Sequence, residues 1–291
     1  MANTASLDRR LNAFRDDLAD IRLEGEVSAK RYVEGRPMRV GQHFTDVLDR
    51  PEEGAGLQTQ FLFGHDVDLF DDDGSWSWVQ SKTDGYVGYV RSSELVDAEA
   101  SPEPTPTHMV TAPRTFVYPI ADLKSPRVGY RSMGSKITVV DQATTRGTDY
   151  AILDSGQAII ADHLTTLGDW RDDPVAVAET LLHTPYLWGG STGFGIDCSG
   201  LVSLAHLLCG RIVLRDSDMQ AASTGTEIPL DQDQLQRGDL IFWKGHVGMM
   251  ADGQNLLHAN GNTMNVALEP LADAIERIGF LYGRPTLARR P

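Results

Sequence analysis

The sequence predicts a multidomain fold in which two small all-β barrels precede an α+β domain. Three observations support this prediction. The chain has 291 residues, which is long enough for two or three domains. Up to about residue 168 it contains short β-prone runs separated by turn residues. Beyond that point an apolar helical stretch is followed by three closely spaced β-prone runs.

The first barrel is predicted within residues 1–100, after an N-terminal segment. Its β-prone runs lie at residues 59–63, 67–70, 77–80 and 86–90, with turn residues at 71–74 and 83–85. Short strands at regular spacing are typical of a small barrel. Residues 7–24 have helical periodicity with Asp8 as the N-cap, so we expect a helix there.

A linker and a second barrel are predicted next. Residues 101–107 carry Pro102, Pro104 and Pro106 and no core-forming side chain, which is typical of a linker. Residues 108–168 contain β-prone runs at 116–118, 136–140, 150–153 and 156–160. The stretches 85–95 and 156–164 each begin with glycine and end with a polar residue followed by leucine, which indicates a weak internal repeat.

The C-terminal domain is predicted over residues 169–291. Asp172 and Asp173 before Pro174 predict the start of a helix over 175–183, and residues 199–208 predict a buried helix. The runs 237–243, 246–250 and 255–260, joined by tight turns, predict an antiparallel meander.

Cys198 is the leading candidate for a nucleophile. It follows a glycine-rich loop and stands at the first turn of the predicted helix 199–208. The positive end of the helix dipole favours a thiolate there, and the thiolate is the reactive form of cysteine. For a lone cysteine a buried structural role is the better interpretation, so the argument depends on its partners.

Two histidines on neighbouring predicted strands supply those partners. His246 opens one strand and His258 lies within the next, so the imidazoles can be cross-strand neighbours. One can act as general base towards Cys198 while the other orients it. A zinc site is the rival interpretation, but the chain has neither HExxH nor CxxC spacing, and Cys209 would face away. We therefore expect no metal.

Composition restricts the partners and the location. The net charge is −15, from 26 basic and 41 acidic residues, which argues against nucleic acid and anionic membranes as partners. No run of 18 apolar residues is present, and the first residues lack the pattern of a secretory signal. Cys198 and Cys209 would lie about 16 Å apart on one helix, too far for a disulfide. We expect a cytoplasmic protein with two free thiols.

Five motifs in fixed order resemble the NlpC-type cysteine peptidases that cut bacterial cell-wall peptides. They are PYLWGG, DCSGLV, RGDLIFW, GHVGMM and LLHANG. The resemblance implies a papain-like C-terminal domain without a cofactor, and it implies that the two barrels are SH3-like, as is common before such domains. It assigns Cys198 as nucleophile, His246 as base and His258 as the orienting third member. It also implies that Tyr186 and Trp188 line the site, with the Tyr186 hydroxyl helping the Cys198 N–H to hold the oxyanion.

The resemblance extends to a subgroup with tandem SH3-like domains, the γ-D-glutamyl-L-diamino acid endopeptidases. These enzymes act on small wall peptides with a free N-terminal L-alanine. The subgroup pattern implies that the substrate contacts Asp197 and Ser199, which flank the nucleophile, and Asp216 and Ser217, which lie in a later Arg-Asp-Ser loop. For Asp216 a solvated loop acid is an equally good interpretation on spacing alone.

The first barrel is also implied in substrate binding, through a tyrosine and an acid. The tyrosine corresponds to Tyr86, with Tyr89 as the alternative, and the acid falls where this chain has His65. This departure leaves three options: Asp66 replaces the acid, Asp216 holds the substrate ammonium alone, or selectivity for a free N-terminus is relaxed. The rival functions are a hydrolase of intact peptidoglycan anchored by its SH3-like domains, an NlpC-type amidase or acyltransferase, and a non-catalytic wall-peptide-binding module.

Overall fold

The computed structural model describes residues 7–98 and 105–291. Most of the predicted linker, residues 101–104, lies outside the described residues. The described chain divides into two compact units. The first comprises residues up to Thr107, Phe116–Arg131 and Ser135–Ile159, and the second comprises His108–Thr115, Ser132–Gly134 and Ile160–Pro291. The predicted domain boundaries stay a prediction.

The N-terminal part of the first unit is built around one antiparallel sheet of seven strands, and β1 and β2 pair in parallel outside that sheet. The strands of this part are β1 (Ala19–Asp20), β2 (Tyr32–Val33), β3 (Arg36–Val40), β4 (Phe44–Leu48), β5 (Leu57–Leu62), β6 (Asp66–Asp72), β7 (Trp76–Ser81), β8 (Val87–Arg91) and β9 (Leu95–Asp97). The sheet order is β5-β4-β8-β7-β6-β3-β9. Valines at 47, 67, 79 and 90 are fully buried, so alternate positions of the strands form the core. The four strands predicted at 59–63, 67–70, 77–80 and 86–90 are confirmed as β5 to β8.

The helix predicted over residues 7–24 is wrong. This segment forms turns, β1 and a single 3₁₀ turn at Ile21–Leu23. Asp8 accepts hydrogen bonds from the backbone N–H and guanidinium of Arg10, and Asp20 accepts from the backbone N–H of Arg22. Short aspartate side chains stabilise such local turns in competition with a helix. Leu18 meanwhile packs with Trp78, so tertiary packing overrides the periodicity.

Eight short strands follow between residues 108 and 166. They are β10 (His108–Val110), β11 (Arg114–Val117), β12 (Gly129–Ser132), β13 (Lys136–Ile137), β14 (Val139–Thr145), β15 (Thr148–Leu153), β16 (Ala158–Ile160) and β17 (Leu164–Thr166). Strands β14, β15 and β16 form one sheet. In the second unit β10 pairs antiparallel with β17.

The second unit places a six-stranded antiparallel sheet against helices. Strands β18 (Ser191–Thr192) and β19 (Gly195–Ile196) pair with each other outside this sheet. The six strands of the sheet are β20 (Thr226–Ile228), β21 (Leu240–Trp243), β22 (His246–Met250), β23 (Asn255–Asn260), β24 (Asn265–Pro270) and β25 (Leu287–Arg290). The helices of the unit are α1 (Pro174–Glu179), α2 (Cys198–Leu208), α3 (Ser217–Ser223) and α4 (Leu271–Tyr282). The large sheet has the order β20-β25-β21-β22-β23-β24. Helix α2 packs on β22 and β23, and α4 packs on β23 and β24. The predicted meander and buried helix are therefore confirmed.

Helix α1 is shorter than the predicted span 175–183. Its start is as expected, because Asp173 accepts a hydrogen bond from the backbone N–H of Val175 and Pro174 occupies the first turn. Its end comes at Glu179. His183 has a φ of +67° and donates its backbone N–H to the carbonyl of Val266 on β24, so the chain has already left the helix to join the sheet.

Candidate active site

The start of α2 presents Cys198 at a helix end that is fixed by its neighbours. The side chain of Asp197 caps the helix, with Oδ1 accepting the backbone N–H of Gly200 at 2.7 Å. A Cβ atom at position 200 would lie 2.3 Å from the carbonyl oxygen of Gly190. Glycine at 200 therefore allows the glycine-rich loop to pack directly on the first turn of α2.

Arg215 connects both residues that flank the nucleophile. Its side chain is 3% exposed, and its Nη2 lies 2.7 Å from Asp197 Oδ2. Its Nη1 donates to Ser199 Oγ at 2.8 Å and to Asp197 Oδ1 at 3.0 Å. The carboxylate of Asp197 is thus shared between a helix cap and a buried bidentate ion pair. These contacts hold the helix start, and the predicted roles of Asp197 and Ser199 in substrate binding stay a prediction.

The sulphur of Cys198 lies beside the start of β22. The backbone N–H groups of Val247, the residue after His246, and of Ser199 lie near it. These contacts favour a thiolate, but burial and the nearby charge of Asp197 outweigh them and raise the pKa of Cys198 to about 12. The helix end favours a thiolate, as the sequence predicts, but burial opposes it and the thiol is neutral at rest.

The two histidines form a hydrogen-bonded chain that ends on a carboxylate. His246 Nε2 lies 2.8 Å from His258 Nδ1, and His258 Nε2 lies 2.7 Å from Glu269 Oε1. The pairing of Met249 with Leu257 places the histidines on the same face of the sheet. They are diagonal rather than directly opposite neighbours, which long side chains can still bridge.

The carboxylate assigns the protons along this chain. A hydrogen bond to His258 and the guanidinium of Arg277 hold the pKa of Glu269 below its usual value, so Glu269 is ionised and only accepts. His258 therefore donates from Nε2 to Glu269. Its Nδ1 is hydrogen-bonded to Nε2 of His246, so Nδ1 is the ring nitrogen of His246 that this chain does not use.

His246 stays uncharged at neutral pH. Burial lowers the pKa of His246 to about 3, and electrostatic repulsion from His258 and Arg277 adds to this effect. The site at rest therefore holds a neutral thiol at Cys198, a neutral imidazole at His246 and a carboxylate at Glu269.

Sequence reasoning missed Glu269 and Arg277. Arg277 projects from α4 onto Glu269, which stands on β24. The β23–β24 hairpin pairs Asn260 with Asn265, and counting back from that turn places Glu269 diagonal to His258. The signal was present in the length of the turn, but β24 was not among the predicted strands.

Tyr186 and Trp188 occupy different environments. Tyr186 is held by a backbone hydrogen bond from its N–H to the carbonyl of Met264. Burial and the proximity of Cys198 raise the pKa of the Tyr186 phenol above its usual value, so it remains a donor. Trp188 is 70% exposed. The oxyanion and site-lining roles stay predictions for both residues.

The loop that carries Asp216 reaches the same end of α2. Asp216 directly follows Arg215 and precedes α3, which begins at Ser217. Gln220, one turn into α3, donates its side-chain amide to the carbonyl of Ser199 at 3.0 Å. The substrate contacts predicted for Asp216 and Ser217 are not tested by these bonds and stay predictions.

The remaining predicted site residues belong to the first unit. Tyr86 is 2% exposed and His65 is 6% exposed. Asp66 is bound through its Oδ1 to Arg39 Nε at 2.8 Å. The carboxylate of Asp66 thus already has a cationic partner, and the substrate roles of Tyr86 and Asp66 stay predictions.

The structure also bears on metal binding and on membrane-spanning helices. Within residues 7–98 and 105–291, no group of three His, Cys, Asp or Glu side chains is arranged to hold a metal ion. In the same part of the chain no helix is long and apolar enough to cross a membrane. Cys198 and Cys209 are both unpaired.

Known proteins resemble this chain in both units. A family model described as the NlpC/P60 family matches residues 183–276, and one described as a bacterial dipeptidyl-peptidase Sh3 domain matches residues 47–95. Dipeptidyl-peptidase 6 of Lysinibacillus sphaericus is 30% identical over 262 residues, which cover 80% of this chain and 94% of that protein. A gamma-D-glutamyl-L-lysine dipeptidyl-peptidase of Bacillus cereus is 28% identical, over 74% of this chain and 71% of that protein.

A solved structure confirms the fold. The crystal structure of an NlpC/P60 family protein from Bacillus cereus superposes with a TM-score of 0.73 at 23% identity, covering 87% of this chain and 99% of that one. One SH3-like domain followed by a papain-like domain is thereby confirmed, as the family models also have it. The second barrel stays a prediction.

Proposed function

This chain belongs to the NlpC/P60 family, and we propose that it is a dipeptidyl peptidase of wall-peptide recycling. The bond cleaved is the one between γ-linked D-glutamate and a diamino acid, in short peptidoglycan-derived peptides with a free N-terminal L-alanine. The observation that carries the chemistry is the hydrogen-bonded chain from His246 through His258 to Glu269, together with Cys198 beside β22, the strand that His246 opens. The names of the Lysinibacillus and Bacillus relatives support the substrate class.

The mechanism follows from the proton positions. The Cys198 sulphur attacks the γ-carbonyl of D-glutamate while Nδ1 of His246 takes the thiol proton. The backbone N–H of Cys198 and the hydroxyl of Tyr186 stabilise the oxyanion. His246 then protonates the leaving amine of the diamino acid, and a water molecule hydrolyses the thioester with His246 again acting as base.

Substrate selection rests on a carboxylate that meets the ammonium of L-alanine. Asp216 is the candidate, because it follows Arg215 at the end of α2 that carries Cys198. Tyr86 and Asp66 of the first unit are proposed as further substrate contacts, and Asp197, Ser199 and Ser217 as supports of the same pocket. The existing bond of Asp66 to Arg39 makes Asp216 the principal partner.

The proposed architecture includes a second SH3-like barrel. The order of β14, β15 and β16, a 3₁₀ turn at Ala161–His163 and β17 repeats the order of β6, β7, β8, a 3₁₀ turn at Ser92–Glu94 and β9. A cytoplasmic location is proposed from the two unpaired thiols. Cell fractionation tests it, and recovery of the protein from the wall fraction would contradict it.

Mass spectrometry of a defined tripeptide tests the activity. L-Ala-γ-D-Glu-L-Lys and its diaminopimelate counterpart are incubated with the protein, and we expect L-Ala-γ-D-Glu and the free diamino acid as products. Cys198→Ser should abolish turnover, whereas Cys209→Ser should leave it intact and serves as the matched control. Cleavage elsewhere in the peptide, or none, would refute the proposed reaction.

N-acetylation tests the proposed ammonium contact. Acetylating the L-alanine removes a charge opposite Asp216 and should lower kcat/KM by roughly ten- to a hundredfold. Asp216→Asn should cause a similar loss on the free peptide and little more on the acetylated one, because both changes break one contact. Asp218→Asn, two residues away, is the control. Equal rates on free and acetylated peptides would refute the selectivity.

Purified sacculi separate recycling from wall hydrolysis. In intact wall the L-alanine is amide-linked to muramic acid and has no ammonium. We therefore expect release of soluble fragments to be far slower than tripeptide cleavage. Matching rates would favour the wall hydrolase.

A further inference from the structure

The first unit contains a cavity of about 240 Å³ whose wall carries three basic side chains. They are Arg39, Arg131 and Lys136, and a single acidic residue, Asp154, stands on the same wall. This concentration of positive charge is unusual in a chain with 26 basic and 41 acidic residues. None of these residues belongs to the active site.

Arg131 is a buried cation without an anionic partner. It is 8% exposed, and its Nη1 contacts only neutral acceptors, His43 Nδ1 at 3.0 Å and the Tyr130 carbonyl at 2.8 Å. Its guanidinium lies 3.7 Å from the ring centroid of Phe63. Its Nε–H is buried and has no hydrogen-bond partner among the described residues. A buried donor on a charged group is costly to leave unsatisfied.

Lys136 adds a second uncompensated charge. Burial lowers the pKa of Lys136, and the attraction of Asp66 only partly opposes this effect. The Oδ1 of Asp66 is bound to Arg39 Nε at 2.8 Å, so Arg39 receives most of that negative charge. Within residues 7–98 and 105–291, no carboxylate forms an ion pair with Lys136 or Arg131.

The cavity wall is rigidly built. Gly64 has a φ of +76°, and a Cβ there would lie 2.1 Å from the carbonyl oxygen of Lys136. The backbone N–H of Lys136 donates to the carbonyl of Phe63 at 2.9 Å. The backbone segments at Phe63 and Lys136 are thereby fixed beside each other. The chain that carries Lys136 is preorganised at the cavity wall.

We propose that this cavity binds the oxyanion group of a small molecule, a carboxylate or a phosphate, between Arg131 and Lys136. Such a group would accept charge-assisted hydrogen bonds from the guanidinium of Arg131 and from an N–H of Lys136. It would supply the negative charge that the wall lacks. The site is separate from Cys198 and does not depend on the proposed peptidase reaction.

Ligand binding by the full-length protein tests this site without any turnover. The probes are inorganic phosphate and the dipeptide L-Ala-γ-D-Glu, measured at pH 7 and low ionic strength by calorimetry and by the shift in Tm. We expect at least one probe to bind and to raise Tm. Binding of phosphate alone would identify a phosphate group as the natural ligand, and binding of the dipeptide at Lys136 would identify a carboxylate.

Lys136→Met is the deciding variant and Lys124→Met its control, since Lys124 is an exposed cation of the same unit. We expect Lys136→Met to weaken binding about ten- to a hundredfold, the effect of a lost charge-assisted hydrogen bond, and Lys124→Met to bind as the original protein does. Lys136→Gln repeats the test if Lys136→Met does not fold. Absence of binding by both probes, or equal binding by Lys136→Met and Lys124→Met, would overturn the proposal.

Discussion

At the residue scale, the proposed nucleophile Cys198 is a neutral thiol at rest. The nearby backbone N–H groups of Val247 and Ser199 favour its thiolate, and burial favours its thiol. Burial has the larger effect, because removing a thiolate from water costs more free energy than two backbone N–H groups restore. The neutral imidazole of His246 is then the necessary partner, since it can remove the proton during attack.

The protonation state of Cys198 can be measured directly. Because burial raises the pKa of Cys198 to about 12, we expect no thiolate absorbance at 240 nm from this residue at pH 7. The difference spectrum between the original protein and Cys198→Ser should stay flat until strongly alkaline pH. One thiolate equivalent in that difference at pH 7 would mean that a thiolate–imidazolium pair is the resting state.

Glu269 is expected to be a positioning residue for the histidine chain. Glu269→Gln keeps the size but loses the charge that fixes the proton on His258, so kcat/KM should fall about ten- to a hundredfold with KM little changed. Glu276→Gln, an exposed neighbour on α4, should have no effect. A rise in KM alone, with kcat unchanged, would show that Glu269 does not act through His258.

Stability against acid gives a second readout for the same residue. The pKa of Glu269 is lower in the folded protein than its usual value of 4.5. Its stabilising contribution is therefore present above that value and is lost as pH falls through the folded pKa. Glu269→Gln should be less stable than the original protein at pH 7, and the difference should shrink below about pH 4. A difference that is constant with pH would contradict the ion pairs described here.

At the scale of elements, the first turn of α2 depends on Arg215. One guanidinium holds Asp197 and Ser199 on either side of the nucleophile. Asp197 also caps the helix through the Gly200 N–H. The ion pair and the cap share one carboxylate, so the loop, the helix and the segment before α3 are stabilised together.

Removing Arg215 should lower the stability of the protein, and a second substitution at Asp197 should restore part of that stability. Arg215→Met leaves the Asp197 carboxylate buried without a cation and should lower the free energy of unfolding by about 3–5 kcal/mol. Adding Asp197→Asn removes that charge while keeping a good helix cap, so the double variant should recover part of the loss. Arg237→Met, which breaks exposed ion pairs with Asp173 and Glu179 and one hydrogen bond to the carbonyl of Ala251, should cost only about 1–2 kcal/mol. Urea denaturation measures all three, and a double variant no more stable than Arg215→Met would contradict the charge argument.

Local patterns predicted those elements whose boundaries depend on neighbouring residues. The apolar run at residues 199–208 predicts α2, and alternating runs with tight turns predict β5 to β8 and the β21–β23 meander. The segment 7–24 and the end of α1 were predicted wrongly, because Leu18 and His183 are held by contacts distant in sequence. Glu269 was not predicted, because its partner His258 lies on the neighbouring strand of a hairpin.

At the scale of the whole molecule, the motifs predicted the chemistry better than the organisation. Five ordered motifs lead to one unit that contains Cys198, His246 and His258. The compact units are not continuous in sequence, since β10 and β17, both within the predicted second barrel, group with the C-terminal unit. Linear runs of strands cannot reveal such an exchange, because strand pairing is decided by packing distant in sequence.

The central claim is that Cys198 forms the covalent intermediate with His246 as its base. Intact-protein mass spectrometry after acid quenching of the reaction with L-Ala-γ-D-Glu-L-Lys tests it most directly. We predict an added mass equal to the L-Ala-γ-D-Glu acyl group, located by fragmentation on Cys198, absent in Cys198→Ser and strongly reduced in His246→Ala. An acyl group on Cys209, or cleavage of the tripeptide by Cys198→Ser, would contradict the account.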